Sequence, residues 1–281
     1  MSSDFRSPDR TPVVRITVGP RRAPLLGTPS AGTGIVDLVD VAFPWDPLQY
    51  PFDVPPHSFV WRAGRFEGLA SSVRVDAVSA GRHPVLAIGS NASPGQLTRK
   101  FREKRFTDPA SPHSSIPVLT AVIQDLDVVY GAHVAWYGSL PATLLDSPGT
   151  SAHVFITWLT PPQLDQMNET EALGHAYQWR RIDKVRCHGE TVDSALSYVT
   201  VTGACLLGGS PLGLETIHAP GSPWRRATQR QAWDHLSADI GCDLDGKTLL
   251  DRVLGSPRWR ERVESHLASH RLAERHRPPE L

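Results

Sequence analysis

The sequence predicts an α+β fold: a small mixed β-barrel or curved sheet with flanking helices, followed by a helical C-terminal extension. Three observations predict it. Runs of β-branched and aromatic residues dominate positions 84–200, where only two short helical patterns interrupt them. Proline and glycine punctuate the chain often enough to keep most segments short. Beyond residue 222 the apolar spacing shifts to the 3.6-residue period of amphipathic helices.

Residues 1–34 are rich in Arg, Pro, Ser and Gly and read as a flexible arm with one short strand, VVRITV. The main domain spans 35–221. Its first part, to residue 80, has the prolines and aromatics of short strands and turns, and SSVRVDAVSAG alternates as a half-buried strand does. PVLAIGS is a strand, and SPGQLTRKFR starts a short helix with Ser93 at the N-cap and Pro94 at its first position. IPVLTAVIQDLDVVYGAHVAWYG reads as two strands. PATLLDSPGTSAHVFITWL reads as a strand, an SPG turn and a second strand. TPPQLDQMNETEAL is a helix capped by Thr160 with Pro161 first, and SALSYVTVTGACLL returns to strand. Residues 222–281 form the helical extension.

Bulk properties exclude several classes. The 281 residues carry 29 basic and 29 acidic side chains, so no overall field favours nucleic acid or an anionic membrane as partner. Three scattered cysteines, Cys187, Cys205 and Cys242, provide neither a disulfide framework nor a CxxC zinc motif. The first residues have no apolar signal segment, and no apolar run approaches the ~20 residues that cross a bilayer. A cytoplasmic location is expected. The dispersed histidines, including His133 and His153, have no zinc-ligand spacing. The tryptophans read as packing anchors.

Two stretches carry candidate chemistry. On the helix from Pro161, Leu164, Met167 and Glu171 fall three and four apart and share one face, whereas Glu169 points away. A carboxylate on an apolar face is partly desolvated, and desolvation moves a carboxyl pKa toward the range a general acid/base needs. The structural alternative is a last-turn glutamate paired with Arg180 or Arg181. The second stretch is AIGSNAS, where a strand stops at Gly89-Ser90-Asn91. Consecutive backbone N–H groups in such a turn converge on a negative oxygen, but an ordinary strand-to-helix turn has the same appearance. It matches neither GxGxxG nor the Walker A pattern, and Ser90 is not in a G-x-S-x-G elbow.

In order, AIGSN, VVYGAHVAWYG, ATLLDSPGTSAHVFITWLT and LDQMNETEALGHAY resemble the γ-glutamylcyclotransferase family over about residues 84–200. The resemblance implies a partly closed β-barrel. It makes Glu171 the catalytic acid/base and Glu169 a bystander, with Ile88, Gly89, Ser90, Asn91, Ala92 and Tyr177 as substrate-binding residues. The implied reaction is intramolecular acyl transfer on a small-molecule γ-glutamyl amide, releasing 5-oxoproline and an amine or amino acid. The nucleophile is the substrate's own amine, so no metal or organic cofactor is expected. The alternative is a non-catalytic binding or regulatory module on the same scaffold. Ile88 departs from the family, which has tyrosine before Gly-Ser-Asn. Oligomeric state is not written in the pattern.

Overall fold

A computed structural model describes residues 46–273 and the backbone of a two-residue strand, β1 (Val36–Asp37). The arm expected over 1–34 and its VVRITV strand lie outside the described residues. Downstream of β1, a 3₁₀ turn at Pro47–Gln49 leads to the hairpin β2 (Phe59–Arg62) and β3 (Arg65–Gly68). The segment expected to be a strand at 71–81 instead holds a short helix, α1 (Asp76–Ser79). Its two inward residues, Val75 and Val78, are three apart, so the local packing period is helical rather than two.

Strand β4 (His83–Ala87) is followed by a 3₁₀ turn at Ser90–Ala92 and helix α2 (Pro94–Lys100), then one turn of α3 (Lys104–Thr107). The next run forms one long strand, β5 (Ser115–Tyr130), not the expected two. GAHVAWYG, including His133, is irregular and only Gly131 makes a β-bridge, to Ala204. Strand β6 (Ala142–Leu159) likewise runs through the SPG segment. Its pairing with β5 jumps from Asp146↔Leu126 to Ser151↔Gln124, so four residues of β6 bulge against Asp125 alone. Gly149 at φ 82° and Asp125 at φ 57° absorb the irregularity. SPG is a bulge that bends the strand, not a turn that reverses it.

Helix α4 (Pro161–Thr170) precedes the hairpin of β7 (Tyr177–Cys187) and β8 (Glu190–Thr200). Short strands β9 (Ala204–Cys205), β10 (Gly213–Leu214) and β11 (Arg226–Ala227) follow, then α5 (Gln229–Asp239), α6 (Gly246–Gly255), α7 (Pro257–Ser269) and β12 (Arg271–Leu272). Strands β5, β6, β4, β8 and β7 pair in that order, and β7 returns to β5, closing a five-stranded mixed barrel. Only β4 and β8 are parallel within it. The α+β barrel predicted from sequence is the observed fold.

The barrel interior and the apolar faces of α5, α6 and α7 form one core that includes Leu119, Val154, Val199, Trp233, Leu249 and Val263. A second core fills the space between the β2–β3 hairpin and helices α2 and α4. It is built from Trp61, Leu97, Phe101, Phe106, Met167 and Tyr198. Phe101 packs 5.8 Å from Trp61 and edge-on, 5.1 Å away, against Phe106. Among the tryptophans expected as anchors, Trp233 is fully buried, whereas Trp136 is 72% exposed.

One polar contact ties a remote loop to the barrel. Asp127 on β5 is fully buried and accepts two hydrogen bonds from the Arg226 guanidinium, at 2.8 and 3.0 Å, and one from Ser222. Gly213 is required beside it, because a Cβ there would meet the guanidinium at 2.2 Å. Arg226→Met leaves a buried carboxylate without its cation, and should cost about 3–5 kcal/mol of stability, measured as a shift in urea unfolding at neutral pH.

Candidate active site

The second core sets the position of the candidate site. Its packing lays α2 beside α4, with Leu97 and Phe101 on one helix and Met167 on the other. The start of α4 is fixed as well. The Thr160 N–H donates to the Gln163 side chain at 2.8 Å, and Gln163 donates to the carbonyls of His113 and Ser115 at 2.8 and 3.0 Å. At its other end the Tyr198 hydroxyl donates to Asn168 at 2.6 Å. Glu171 is the C-cap residue, its backbone still near helical at φ −91° and ψ −2°. The carboxylate therefore keeps the face shared with Met167, and Glu169 is exposed.

Glu171 Oε1 meets two donors. The Asn91 side-chain amide donates to it at 3.0 Å, and the Lys100 ammonium forms an ion pair with the same oxygen. Lys100 is almost wholly buried, with its Nζ also 3.4 Å from the Met167 sulfur. The arginines considered as partners are engaged elsewhere: Arg180 pairs with Asp146 and Arg181 with Asp183. The Asn91 carbonyl oxygen Oδ1 is buried and has no hydrogen-bond partner among the described residues. Glu171 and the Gly89–Ala92 turn are thus in direct contact, and a polar acceptor beside them is left unsatisfied.

The turn has its own constraint. A Cβ on Gly89 would fall 2.1 Å from the Tyr50 hydroxyl and 3.2 Å from Ala142 Cβ, so only glycine lets Tyr50 close on the strand end. Tyr50 accepts the Ala142 N–H at 2.9 Å. Inside the turn, Ala92 N–H donates to the Gly89 carbonyl at 3.2 Å and Ser93 N–H to that of Ser90 at 2.9 Å. The earlier N–H groups, of Gly89, Ser90 and Asn91, are the donors not used within it. Ile88 and Ala92 are buried, and Ile88 belongs to the barrel core.

A wall of neutral hydrogen-bonding side chains surrounds the pair. Burial pushes the Tyr137 phenol up to about 12, helped by the charge of Glu171, and its hydroxyl is hydrogen-bonded to Ser139 and Ser90. Burial raises Tyr177 and Tyr198 as well, with Glu171 adding to both. It raises Tyr50 too, chiefly through desolvation and then through Tyr137. Burial holds His133 down to about 4, against the pull of Glu171, with its ring edge-on to Tyr177 at 5.7 Å. Lys100 is pulled below its usual value by burial, and Glu171 opposes that shift. At neutral pH the phenols and the His133 imidazole are uncharged, and Lys100 and Arg99 are the basic groups beside Glu171.

The structure places Glu171 against Asn91, in the turn that also holds Gly89, Ser90 and Ala92, with Tyr177 near enough to feel its charge, whereas Ile88 faces the core. Lys100, Tyr50, Tyr137 and His133 were not in that reading. Lys100 left a trace: with Leu97 and Phe101 it falls on the apolar face of α2, where a lysine needs a partner. The others reach the site from separate loops and carry no local signal.

Fold and site together define a mixed barrel with a partly buried carboxylate held against the turn that follows a barrel strand. No protein-family model matches this chain, and no curated protein matches it. Among solved structures it is similar to a gamma-glutamyl cyclotransferase at 15% identity, covering 71% of this chain and 90% of that one, with a TM-score of 0.35. It is also similar to an uncharacterized Homo sapiens protein at 19% identity, covering 61% and 87%, with a TM-score of 0.33. YkqA from Bacillus subtilis is similar at 11% identity, covering 76% and 71%, with a TM-score of 0.32.

Lys100 gives the site a pH signature. Folded, it binds a proton less readily than its usual value of 10.5 implies, so the unfolded chain holds more protons just below that value. Its contribution to stability rises with pH through that window and falls away as pH drops through the folded value. Lys100→Met should flatten this slope just below pH 10.5, measured by urea unfolding of both proteins. The difference isolates Lys100, since the buried tyrosines titrate above their usual 10.

Proposed function

We propose that the protein performs intramolecular acyl transfer on a γ-glutamyl amide, releasing 5-oxoproline and an amine or amino acid. The observation that carries this reading is the contact between Glu171 and Asn91, with Asn91 Oδ1 buried and unpaired beside it. A buried acceptor without a donor costs stability unless a ligand satisfies it. A substrate α-ammonium placed between this oxygen and the carboxylate supplies the missing donor and brings its proton to the base.

The reaction then uses the groups in sequence. Glu171 takes a proton from the α-ammonium, and the freed amine attacks the γ-carbonyl carbon. The new C–N bond closes the five-membered ring, and negative charge collects on the carbonyl oxygen. Backbone N–H groups of Gly89, Ser90 and Asn91 stabilise that oxyanion, a role worth ~2.7–4 kcal/mol per donor in comparable sites. Glu171 returns its proton to the departing nitrogen, the original C–N bond breaks, the freed carboxylate takes the second proton from the ring nitrogen and passes it to the departing amine, and 5-oxoproline and the ammonium leave. Lys100 holds Oε1 throughout, which fixes the carboxylate and leaves Oε2 to exchange the proton. The packed tyrosine wall orients the substrate so that attack is unimolecular. The nucleophile belongs to the substrate, and the chain contributes only acid/base and hydrogen-bonding groups.

The second reading, a binding module without catalysis, is favoured by the same Lys100 contact, because the ion pair satisfies Glu171 with no substrate present. Incubation with a panel of γ-glutamyl amines and γ-glutamyl amino acids separates the two. Acyl transfer predicts 5-oxoproline by mass spectrometry, and a loss of about 10²–10⁴-fold in kcat for Glu171→Gln. No 5-oxoproline from any member, with saturable binding retained, leaves the binding module. Free glutamate in place of 5-oxoproline would assign the attack to water.

A further inference from the structure

The molecule carries a recess whose lining includes neither Glu171 nor the Gly89 turn. It is a groove of about 630 Å³ along β5, β6 and the end of β7. Apolar side chains of Phe52, Pro55, Val122 and Phe155 contribute to its lining, together with four basic side chains, Arg186, His188, His153 and His218. Among the described residues no acidic one lines it, although the chain as a whole balances 29 acidic against 29 basic groups. Its volume falls in the range of small-molecule sites, ~300–1,000 Å³.

The basic groups are not equivalent. His188 is committed to the scaffold: Nε2 lies 2.6 Å from Ser58 Oγ and Nδ1 lies 3.0 Å from the Val73 carbonyl. That carbonyl can only accept, so Nδ1 carries the proton and His188 is a fixed wall. His153 and His218 are held as a pair. The His153 N–H donates to the His218 carbonyl at 2.8 Å, and the rings meet edge to face 4.8 Å apart. Burial and the neighbouring His218 hold His153 below its usual value, so two positive rings disfavour each other unless an anion lies between them. Arg186 is exposed and has no acidic partner among the described residues. A guanidinium without a carboxylate, next to two imidazoles over an apolar wall, is complementary to one negative head on an apolar body.

We propose that this groove binds a small molecule with an apolar body and a carboxylate head, the body against Val122, Phe155 and Pro55 and the head on Arg186, His153 and His218. A cation meets like charge there. A neutral apolar molecule leaves the donors of the rim unused, and that asymmetry is what the experiment reads.

Isothermal titration of the full chain with octanoate, octanamide and octylamine provides the test. Octanoate should bind saturably at one site at least tenfold more tightly than octanamide, with no saturable binding of octylammonium. The double variant Arg186→Gln/His218→Gln should bring octanoate to the octanamide level. Thr216→Trp, which places a large ring at the exposed lip, should abolish binding of both. Each altered position is exposed, and an unchanged melting temperature verifies that the variants fold. Binding of octanoate should survive Glu171→Gln, which separates this site from the acyl-transfer reading. Equal affinity for octanoate and octanamide overturns the proposal. So does the absence of saturable octanoate binding, or octanoate binding that the double variant leaves unchanged.

Discussion

An ammonium removed from water must be met by negative charge and by hydrogen-bond acceptors, and Lys100 is almost entirely removed from water. Glu171 is the group that meets it. The requirement propagates through the fold. Lys100 lies at the end of α2 and Glu171 at the end of α4, so the pair forms only when both helices have their full length and correct rotation. Trp61, Phe101 and Met167 impose that rotation through apolar packing, and Asn91 joins the carboxylate from the turn after β4. Three separate elements thus converge on one oxygen atom. A buried pair of this kind contributes little net stability, but its loss on one side is costly, so it selects a single arrangement of the helices.

The same pair governs the chemistry available. The surrounding phenols, and the imidazole of His133, are kept neutral by burial, so they act as fixed dipoles rather than proton exchangers near neutral pH. Fixed dipoles of this kind need no reorganisation when a charge nearby changes. Glu171 is the carboxylate of the cluster, with Lys100 beside it as a compensating charge. A lone carboxylate in this cluster would carry an uncompensated desolvation cost. The lysine reduces that cost while occupying only one of the two carboxylate oxygens.

Much of this was legible in the sequence wherever a feature is local. The end of β4 at Gly89-Ser90-Asn91, the capped start of α4 and the inward face carrying Glu171 each follow from spacing within about ten residues. Features decided at long range were not. Gln124-Asp125 and SPG look like strand ends in isolation, yet β5 and β6 continue because each strand's pairing with the other holds the bulge in register. Val73 to Val78 alternates well enough for a strand, but no neighbouring strand pairs with it, and Val75 and Val78 pack as a helical turn. Lys100 could be suspected from its helix face, but its partner could not be named, since Glu171 lies 71 positions away.

Ile88 is the most instructive departure. By sequence it removes a phenol from the residue preceding Gly-Ser-Asn, which suggests a pocket that has lost a ring and a hydroxyl. In the structure Ile88 points into the barrel core, and a phenol stands at the turn all the same, delivered by Tyr50 from 38 positions upstream. Its hydroxyl sits so close to Gly89 that no other residue fits there, and it bonds the Ala142 backbone across the barrel. Tyr137 adds a second phenol from the irregular segment after β5, hydrogen-bonded to Ser90. The aromatic wall of the turn is therefore supplied by loops rather than by the strand. A wall attached through loops can differ in shape while the carboxylate, the turn and the barrel stay fixed. The shape beside the turn is then set by the segments around Tyr50 and Tyr137 rather than by Ile88. Phe52 extends that wall, its ring 5.9 Å from Tyr50 and 6.2 Å from Tyr137. Phe52 also lines the basic groove, so its ring borders both that groove and the aromatic wall of the turn.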